Sequence, residues 1–184
     1  MIFKIFIITL NCIFGPILLY SYWNGIMHGT ISGSTFWGGM PQFLRPISGI
    51  SMIISAIGYF IFTYYLLFKT DMHTQYLGIF NYKFIIILYA LILIPSCFWI
   101  GQTANYIESM EKVTNHAQSW MIICIILYTV GIASLFLCLW IFSISPLKGE
   151  QSLLLNLSKI GVIIFTIHTL IFDGLLWTYF FNLK

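Results

Sequence analysis

Charged residues are scarce in this chain. They make up 7% of its 184 residues, whereas a soluble domain typically carries about 25%. A soluble fold of this size could not cover its surface with so few charges, because large exposed apolar patches associate. The surface must therefore face lipid, and the length suits one bundle of helices without a second domain.

Clusters of basic residues are also lacking. Eight basic and five acidic residues leave a net charge of +3, and they are scattered singly along the chain. A protein that follows a phosphate backbone needs a basic patch or stripe, and none is present. The sequence therefore argues against nucleic acid as a partner.

The spacings that hold metals or activate nucleophiles are missing as well. The four cysteines lie singly in apolar stretches without a Cys-x-x-Cys pair. The four histidines lack the i, i+4 spacing of a helical iron or zinc site; they are His28, His73, His116 and His168. No phosphate-binding glycine loop and no nucleophile elbow occurs. The sequence thus predicts no metal and no cofactor, although His168 leaves haem or another tetrapyrrole open as a ligand.

Long apolar runs are what the chain has in abundance, since 60% of its residues are hydrophobic. A bilayer core needs roughly 20 apolar residues in helical form, and the charges divide the chain into five such runs. The runs do not alternate in polarity, which excludes a barrel. The sequence predicts an all-α integral membrane bundle of five transmembrane helices, with spans at about 5–22, 48–68, 84–101, 120–143 and 160–180.

Lysine and arginine favour one side of this predicted bundle. One side collects Lys4, Lys69, Lys83, Lys148 and Lys159, and the other collects Arg45, Lys112 and Lys184. Basic residues concentrate in cytoplasmic loops. We therefore expect the amino terminus inside and the carboxyl terminus outside, in a bacterial inner membrane or an organellar membrane. The first run lacks a small-residue cleavage site and is expected to remain as a helix.

Two predicted connections stand out. Residues 23–47 are long and nearly uncharged and contain Trp37 and Arg45. Such a segment is too apolar to float in water, so it lies on the membrane surface or folds over the mouth of the bundle. Residues 102–119 form the most polar stretch of the chain and are predicted to be a loop on the same side.

The fifth span contains an acidic residue, Asp173. A charge at the centre of a bilayer costs at least about 2.5–3.5 kcal/mol on insertion scales, so Asp173 is expected to face the interior. At about 100° per residue, Thr166, Thr169, Asp173 and Trp177 share one face and form a polar stripe. His168 lies about 140° from Asp173 around an α-helix, so the two side chains are predicted not to touch.

Asp173 is open to three interpretations. It is a buried carboxyl bonded to a tyrosine or serine of a neighbouring helix, a ligand- or proton-handling group, or an acid/base residue of an enzyme.

Small residues offer a different kind of information, because they let helices approach closely in membranes. Two spans carry such small residues, which predict helix contacts inside the bundle rather than a dimer interface. They are Ser48, Gly49, Ser51, Ser55, Ala56 and Gly58 on one face of the second span, and Gly131, Ala133 and Ser134 in the fourth.

The layout resembles the translocator protein family, the tryptophan-rich sensory proteins. Trp37 and Pro41 precede the second span, as that family's tryptophan–proline segment does, and 89–91 with Trp99 are similar to its third helix. The ending 177–182 looks like its terminal helix. The chain departs from the family in lacking the adjacent tryptophan and the double proline, and in having Pro95 where an asparagine is expected. The resemblance implies binding of tetrapyrroles or sterols, often by a homodimer.

The sequence thus predicts a non-enzymatic bundle that binds or passes a small, largely apolar molecule. The predicted pocket lies between the second and fifth spans under 23–47. Its residues are Trp37 and Arg45 at the mouth and Thr169, Asp173 and Trp177 on the wall, with His168 and Trp99 as further candidates. The alternatives are a membrane enzyme that acts on a lipid or isoprenoid through Asp173 or His168, and a small subunit of a larger membrane complex.

Overall fold

The computed structural model describes residues 2–25, 34–70, 82–112, 116–144 and 153–181. These residues form five long helices. They are α1 (Ile2–Trp23), α2 (Leu44–Phe68), α3 (Tyr82–Lys112), α4 (His116–Ser143) and α5 (Leu153–Phe181). Each is long and apolar enough to cross a membrane, and the described ranges contain no strand. The predicted class, an all-α membrane bundle of five transmembrane helices, is confirmed.

The predicted polar loop at 102–119 is wrong. Helix α3 continues to Lys112, and α4 begins at His116. This stretch includes good helix formers such as Ala104, Glu108 and Met110, and intrahelical bonds satisfy its backbone whether lipid or water surrounds it. Polarity therefore marks where these helices leave the apolar layer, and it does not mark where they end.

The helices pack in a definite order. Helix α3 packs against α1 and α4, and α5 packs against α2 and α4. The described parts of α1 and α2 make few close backbone contacts with each other. They are joined by a hydrogen bond of 2.7 Å in which the Tyr59 hydroxyl donates to Oδ1 of Asn11. The two helices therefore meet through long side chains rather than through their backbones.

Glycines let α2 and α4 approach α5 closely within the bundle. A Cβ atom added to Gly58 would lie 2.6 Å from the carbonyl oxygen of Gly161, and one added to Gly131 would lie 3.1 Å from Cα of Leu170. These distances require α2 and α4 to pack directly on the backbone of α5. The prediction that small residues serve contacts inside the bundle is confirmed at Gly58 and Gly131.

Two hydrophobic clusters mark the two ends of the bundle. The larger one contains Phe3, Leu66, Ile85, Ile141 and Leu155 among others. Lys4, Lys69, Lys83 and Lys159 are at the same helix ends, so we call this the lysine end. The smaller cluster, at the opposite end, contains Met40, Tyr106, Ile123, Trp177 and Phe181, with Trp37 and Trp99 packed against it.

Residues 34–43 fold over this opposite end and are called the cap. Its turn Thr35–Trp37 places the carbonyl of Phe36 2.9 Å from the indole Nε1 of Trp177, which donates to it. Met40 is almost fully buried, and Nε of Arg45 donates to its carbonyl at 3.0 Å. Of the two predicted places for 23–47, the mouth of the bundle is therefore the correct one for the cap.

Some predictions fall on other parts of the chain. His28, His73, Lys148, Asn182 and Lys184 lie outside the described residues. Of the counted basic residues, the structure places Lys4, Lys69, Lys83 and Lys159 at one end of the bundle and Arg45 and Lys112 toward the other, and the orientation itself stays a prediction.

Candidate functional site

A π-helix in α5 builds the candidate site. Residues Ile167–Trp177 adopt this wider form, and Nε2 of His168 lies 3.5 Å from Oδ2 of Asp173. The prediction that these side chains cannot touch is wrong, because it assumed α-helical geometry. In a π-helix the backbone bonds join residues i and i+5, which brings side chains five positions apart onto one face.

Helix α2 holds the other side of the imidazole ring. Oγ of Ser51 lies 3.2 Å from Nδ1 of His168, and either group can donate according to the tautomer. His168 is buried, with its side chain 8% exposed. Both ring nitrogens therefore face a polar group, so a haem iron could bind His168 only if one of these contacts were given up.

Asp173 is the exposed member of the pair, with its side chain 26% accessible. The hydroxyl of Tyr22, near the end of α1, lies within electrostatic range of the carboxylate. Asn11, Gly15 and Tyr22 share one face of α1 at helical spacing. A Cβ added to Gly15 would meet no atom within 4 Å, so this face of α1 borders open space at Gly15.

We call this space the α1–α2 cleft. We assign to it Gly15 and Tyr22 of α1, Ser51 of α2, and His168 and Asp173 of α5. The described parts of α1 and α2 make few close backbone contacts with each other on either side of it.

A row of aromatic contacts leads from Tyr22 to the cap. The ring centroids of Tyr22 and Trp99 are 5.7 Å apart, and those of Trp99 and Trp177 are 5.6 Å apart. Trp177 is buried and bonded to the cap. The indole Nε1 of Trp99 is buried and has no hydrogen-bond partner among the described residues. These rings connect the cap to the cleft.

The predicted polar stripe is divided between two neighbours. Oγ1 of Thr169 lies 2.7 Å from Oγ of Ser134 in α4, and Thr166 donates to the Ser134 carbonyl. Both threonines are buried, so they bind α4, whereas Asp173 faces the α1–α2 cleft. The inward direction predicted for the stripe is correct for Thr166 and Thr169, but they do not share a surface with Asp173.

The structure thus brings together Asp173 and His168, and it packs Trp99 against both Tyr22 and Trp177. It places Trp37 and Arg45 in and beside the cap, where Nη2 of Arg45 also lies 3.5 Å from the carbonyl oxygen of Gly38. Sequence reasoning missed Ser51 and Tyr22 as site residues. The small-residue face of the second span was a signal for Ser51, but the chain gives no signal for the π-helix.

A second concavity lies on the other side of α5. This shallow groove of about 470 Å³ runs between α4 and the end of α5. Its lining residues are Trp120, Cys124, Tyr128, Leu175, Leu176, Thr178 and Tyr179. None of them is charged, so the groove suits a lipid acyl chain.

Comparisons with known proteins leave the site to be interpreted from its geometry. No protein-family model, curated protein or solved structure matches this chain. The resemblance to the translocator protein family therefore stays a prediction. Within the described ranges, no three His, Cys, Asp or Glu side chains are grouped so that they could hold a metal ion.

Proposed function

We propose that this protein binds a small, largely apolar molecule in the α1–α2 cleft, with a polar group of the molecule at Asp173. The observation that carries the proposal is the partly exposed Asp173 carboxyl, 3.5 Å from a buried histidine inside a membrane-spanning helix. An ionisable side chain at this depth is costly and typically marks a ligand or ion pathway. π-Helical turns are also frequent at functional sites.

The shape of the bundle supports the same proposal. An apolar molecule concentrates in the bilayer, and α1 and α2 make few close backbone contacts that would bar its way between them. The cap closes the end of the bundle through Trp177 and Arg45. We therefore assign Trp37 and Arg45 to closure of the cap, and we assign recognition to Asp173, His168 and Tyr22. A tetrapyrrole or sterol is the ligand expected if the resemblance to the translocator protein family holds.

Photo-crosslinking tests this proposal. Purified protein in lipid nanodiscs is irradiated with a ten-carbon alcohol that carries a diazirine, and labelled residues are identified by mass spectrometry. We expect labels at Tyr22 and Ser51, and we expect Gly15→Trp, which fills the cleft, to remove them. Gly49→Trp is the matched control, because Gly49 of α2 also borders open space but lies on another face. Labels confined to the outer faces of the helices in the wild type would reject the proposal.

A second candidate function follows from the same three side chains. Ser51, His168 and Asp173 form a chain from hydroxyl to imidazole to carboxylate. This is the order of nucleophile, base and orienting acid in serine hydrolases. The candidate is an enzyme that cleaves a lipid or isoprenoid ester. The Ser51 oxygen would attack the carbonyl carbon while His168 takes the hydroxyl proton, and His168 would return that proton to the alcohol as the ester C–O bond breaks. Water would then release the acid from Ser51 by the same steps.

A fluorophosphonate probe separates this enzyme from a binding protein. The enzyme predicts covalent labelling of Ser51, which His168→Gln abolishes. Ser55→Ala is the control, since the Ser55 hydroxyl donates to the carbonyl of Met52 at 2.8 Å and stays within its own helix. An unlabelled Ser51 in folded protein would leave binding as the function.

We further propose that the lysine end faces the inside, so that the amino terminus is inside and the cap is outside, in a bacterial inner membrane or an organellar membrane. Lysines favour the cytoplasmic side. Single-cysteine variants test this in cysteine-free protein. Gln42→Cys at the cap and Lys69→Cys at the lysine end are both exposed positions. A membrane-impermeant maleimide added from outside should label only the first, and the reverse pattern would invert the orientation.

A further inference from the structure

We propose that the polar group of the ligand is a cation, so that the cleft selects amphiphilic amines or ammonium compounds. This inference rests on the proposed function and specifies its ligand class. It starts from Asp173, which when ionised has two oxygens that only accept hydrogen bonds. Its contact with His168 is 3.5 Å long, whereas charge-assisted bonds to a carboxylate are about 2.7–2.9 Å. The carboxylate therefore keeps most of its capacity to accept.

The basic side chains of the bundle do not neutralise this carboxylate. Arg45 donates to the carbonyls of Met40 and Gly38 in the cap. The lysines Lys4, Lys69, Lys83 and Lys159 lie at the far end of the bundle. Within the described ranges, the group beside Asp173 that can carry a positive charge is His168, and it does so only when protonated. A positive charge brought by the ligand completes the site.

The rings beside Asp173 favour the same charge. The hydroxyl of Tyr22 lies within electrostatic range of the carboxylate, and Trp99 packs against both Tyr22 and Trp177. The face of an aromatic ring attracts a cation, and the attraction grows where water is excluded. A carboxylate next to aromatic rings is therefore suited to an ammonium group. An anionic head group would meet the charge of Asp173, and a neutral one would gain only hydrogen bonds.

The rest of the cleft sets the apolar part of the ligand. Gly15 leaves room beside α1, and the Asn11–Tyr59 bond closes the cleft toward the lysine end. An alkyl chain attached to the cation would extend from Asp173 along Gly15 or outward between α1 and α2. The ligand class is thus a cationic head with an apolar tail, and it reaches the site from the bilayer.

Three matched probes test the inference. Decylamine, decanol and decanoic acid share one chain length and differ in the head group, and their binding to the protein in nanodiscs is followed by displacement of the diazirine alcohol. We expect decylamine to bind at least about tenfold more tightly than decanol, which is a difference of about 1.4 kcal/mol. Decanoic acid should bind most weakly of the three.

Two variants identify the group responsible. Asp173→Asn should weaken the binding of decylamine by at least about tenfold and leave the affinity for decanol unchanged. The variant would then bind the two compounds with similar affinity. Glu108→Gln removes an acidic group from α3 outside the cleft, and it should change neither affinity. Thermal unfolding of both variants shows that they are folded.

The outcomes separate this inference from the function on which it rests. Equal binding of the three probes in the cleft would keep the proposed function and overturn the selection of a cation. A preference for decylamine that survives Asp173→Asn would also overturn it. If no probe binds in the cleft, or if Gly15→Trp affects none of them, both the proposed function and the inference are rejected.

Discussion

Nε2 of His168 lies 3.5 Å from Oδ2 of Asp173, although the two residues are five positions apart on one helix. Because both belong to the π-helical part of α5, their separation is fixed by the local backbone and not by the packing of two helices. The neighbouring helices add Ser51 and the ring of Tyr22. The centre of the site is therefore a property of one segment, 167–177.

Removing the charge of Asp173 should not weaken the fold. We expect Asp173→Asn to unfold in detergent at the same temperature as the wild type or a higher one. The reason is that a carboxylate in a span is costly and has one partner, at 3.5 Å, within the described ranges. Thermal unfolding followed by tryptophan fluorescence measures the effect.

Thr169→Val is the comparison for this variant, because the buried Thr169 hydroxyl lies 2.7 Å from Oγ of Ser134. Hydrogen bonds between transmembrane helices contribute about 0.6 kcal/mol on average, so this variant should unfold earlier. If Asp173→Asn were the less stable of the two, Asp173 would be a structural carboxyl rather than a ligand site.

The indole groups of Trp177 and Trp99 should differ in their contribution to stability. Nε1 of Trp177 donates to the carbonyl of Phe36 at 2.9 Å, whereas Nε1 of Trp99 is buried without a partner among the described residues. Trp177→Phe leaves a carbonyl of the cap unpaired, which costs about 1–3 kcal/mol. Trp99→Phe removes the same ring volume but no hydrogen bond, so this variant should lose less stability than Trp177→Phe. Equal losses would show that ring packing alone stabilises this end.

Much of the fold could be predicted because lipid leaves the chain few choices. The apolar runs predicted five helices, since backbone groups in hydrocarbon must be bonded within a helix. The same physics explains the error at 102–119. Polar residues such as Glu108 were interpreted as a loop, yet a helix that extends beyond the apolar layer keeps its backbone bonds.

The site was predicted only in part, for a reason that concerns the path of the backbone. Asp173 was identified because an ionisable side chain in a membrane span is costly in free energy. The residue type and its position in the sequence are enough to recognise this cost. The contact of Asp173 with His168 depends on a π-helix, and no residue type at 167–177 predicts a π-helix. The partners Ser51 and Tyr22 come from other helices, so their identity required the packing order of the bundle.

The cap should depend on Gly38. Its φ angle of 51° is unfavourable for residues with a side chain, and an added Cβ would lie 2.6 Å from Cδ2 of Phe181. We expect Gly38→Ala to loosen the cap by about 1–3 kcal/mol, while the bundle below it stays folded. Hydrogen exchange at 34–43 should rise, with exchange in α2 and α4 unchanged. A uniform rise across all five helices would show instead that the cap holds the whole bundle together.

The contact between Gly58 and Gly161 should be the least tolerant point of the bundle. A Cβ on Gly58 would lie 2.6 Å from the carbonyl oxygen of Gly161, and one on Gly161 would lie 2.9 Å from that of Gly58. These contacts are with backbone, which cannot rotate away, so α2 and α5 would have to separate. We expect Gly58→Ala to destabilise the protein by about 1–3 kcal/mol, the usual range for overpacking.

Gly15→Ala is the matched control for Gly58→Ala, because the added methyl group meets no atom within 4 Å. Alanine has the higher helix propensity, so this variant should be at least as stable as the wild type. Thermal unfolding of both variants in the same detergent decides the matter. If Gly15→Ala were as damaging as Gly58→Ala, the space beside Gly15 would be filled in the folded protein, and the α1–α2 cleft could not admit a ligand.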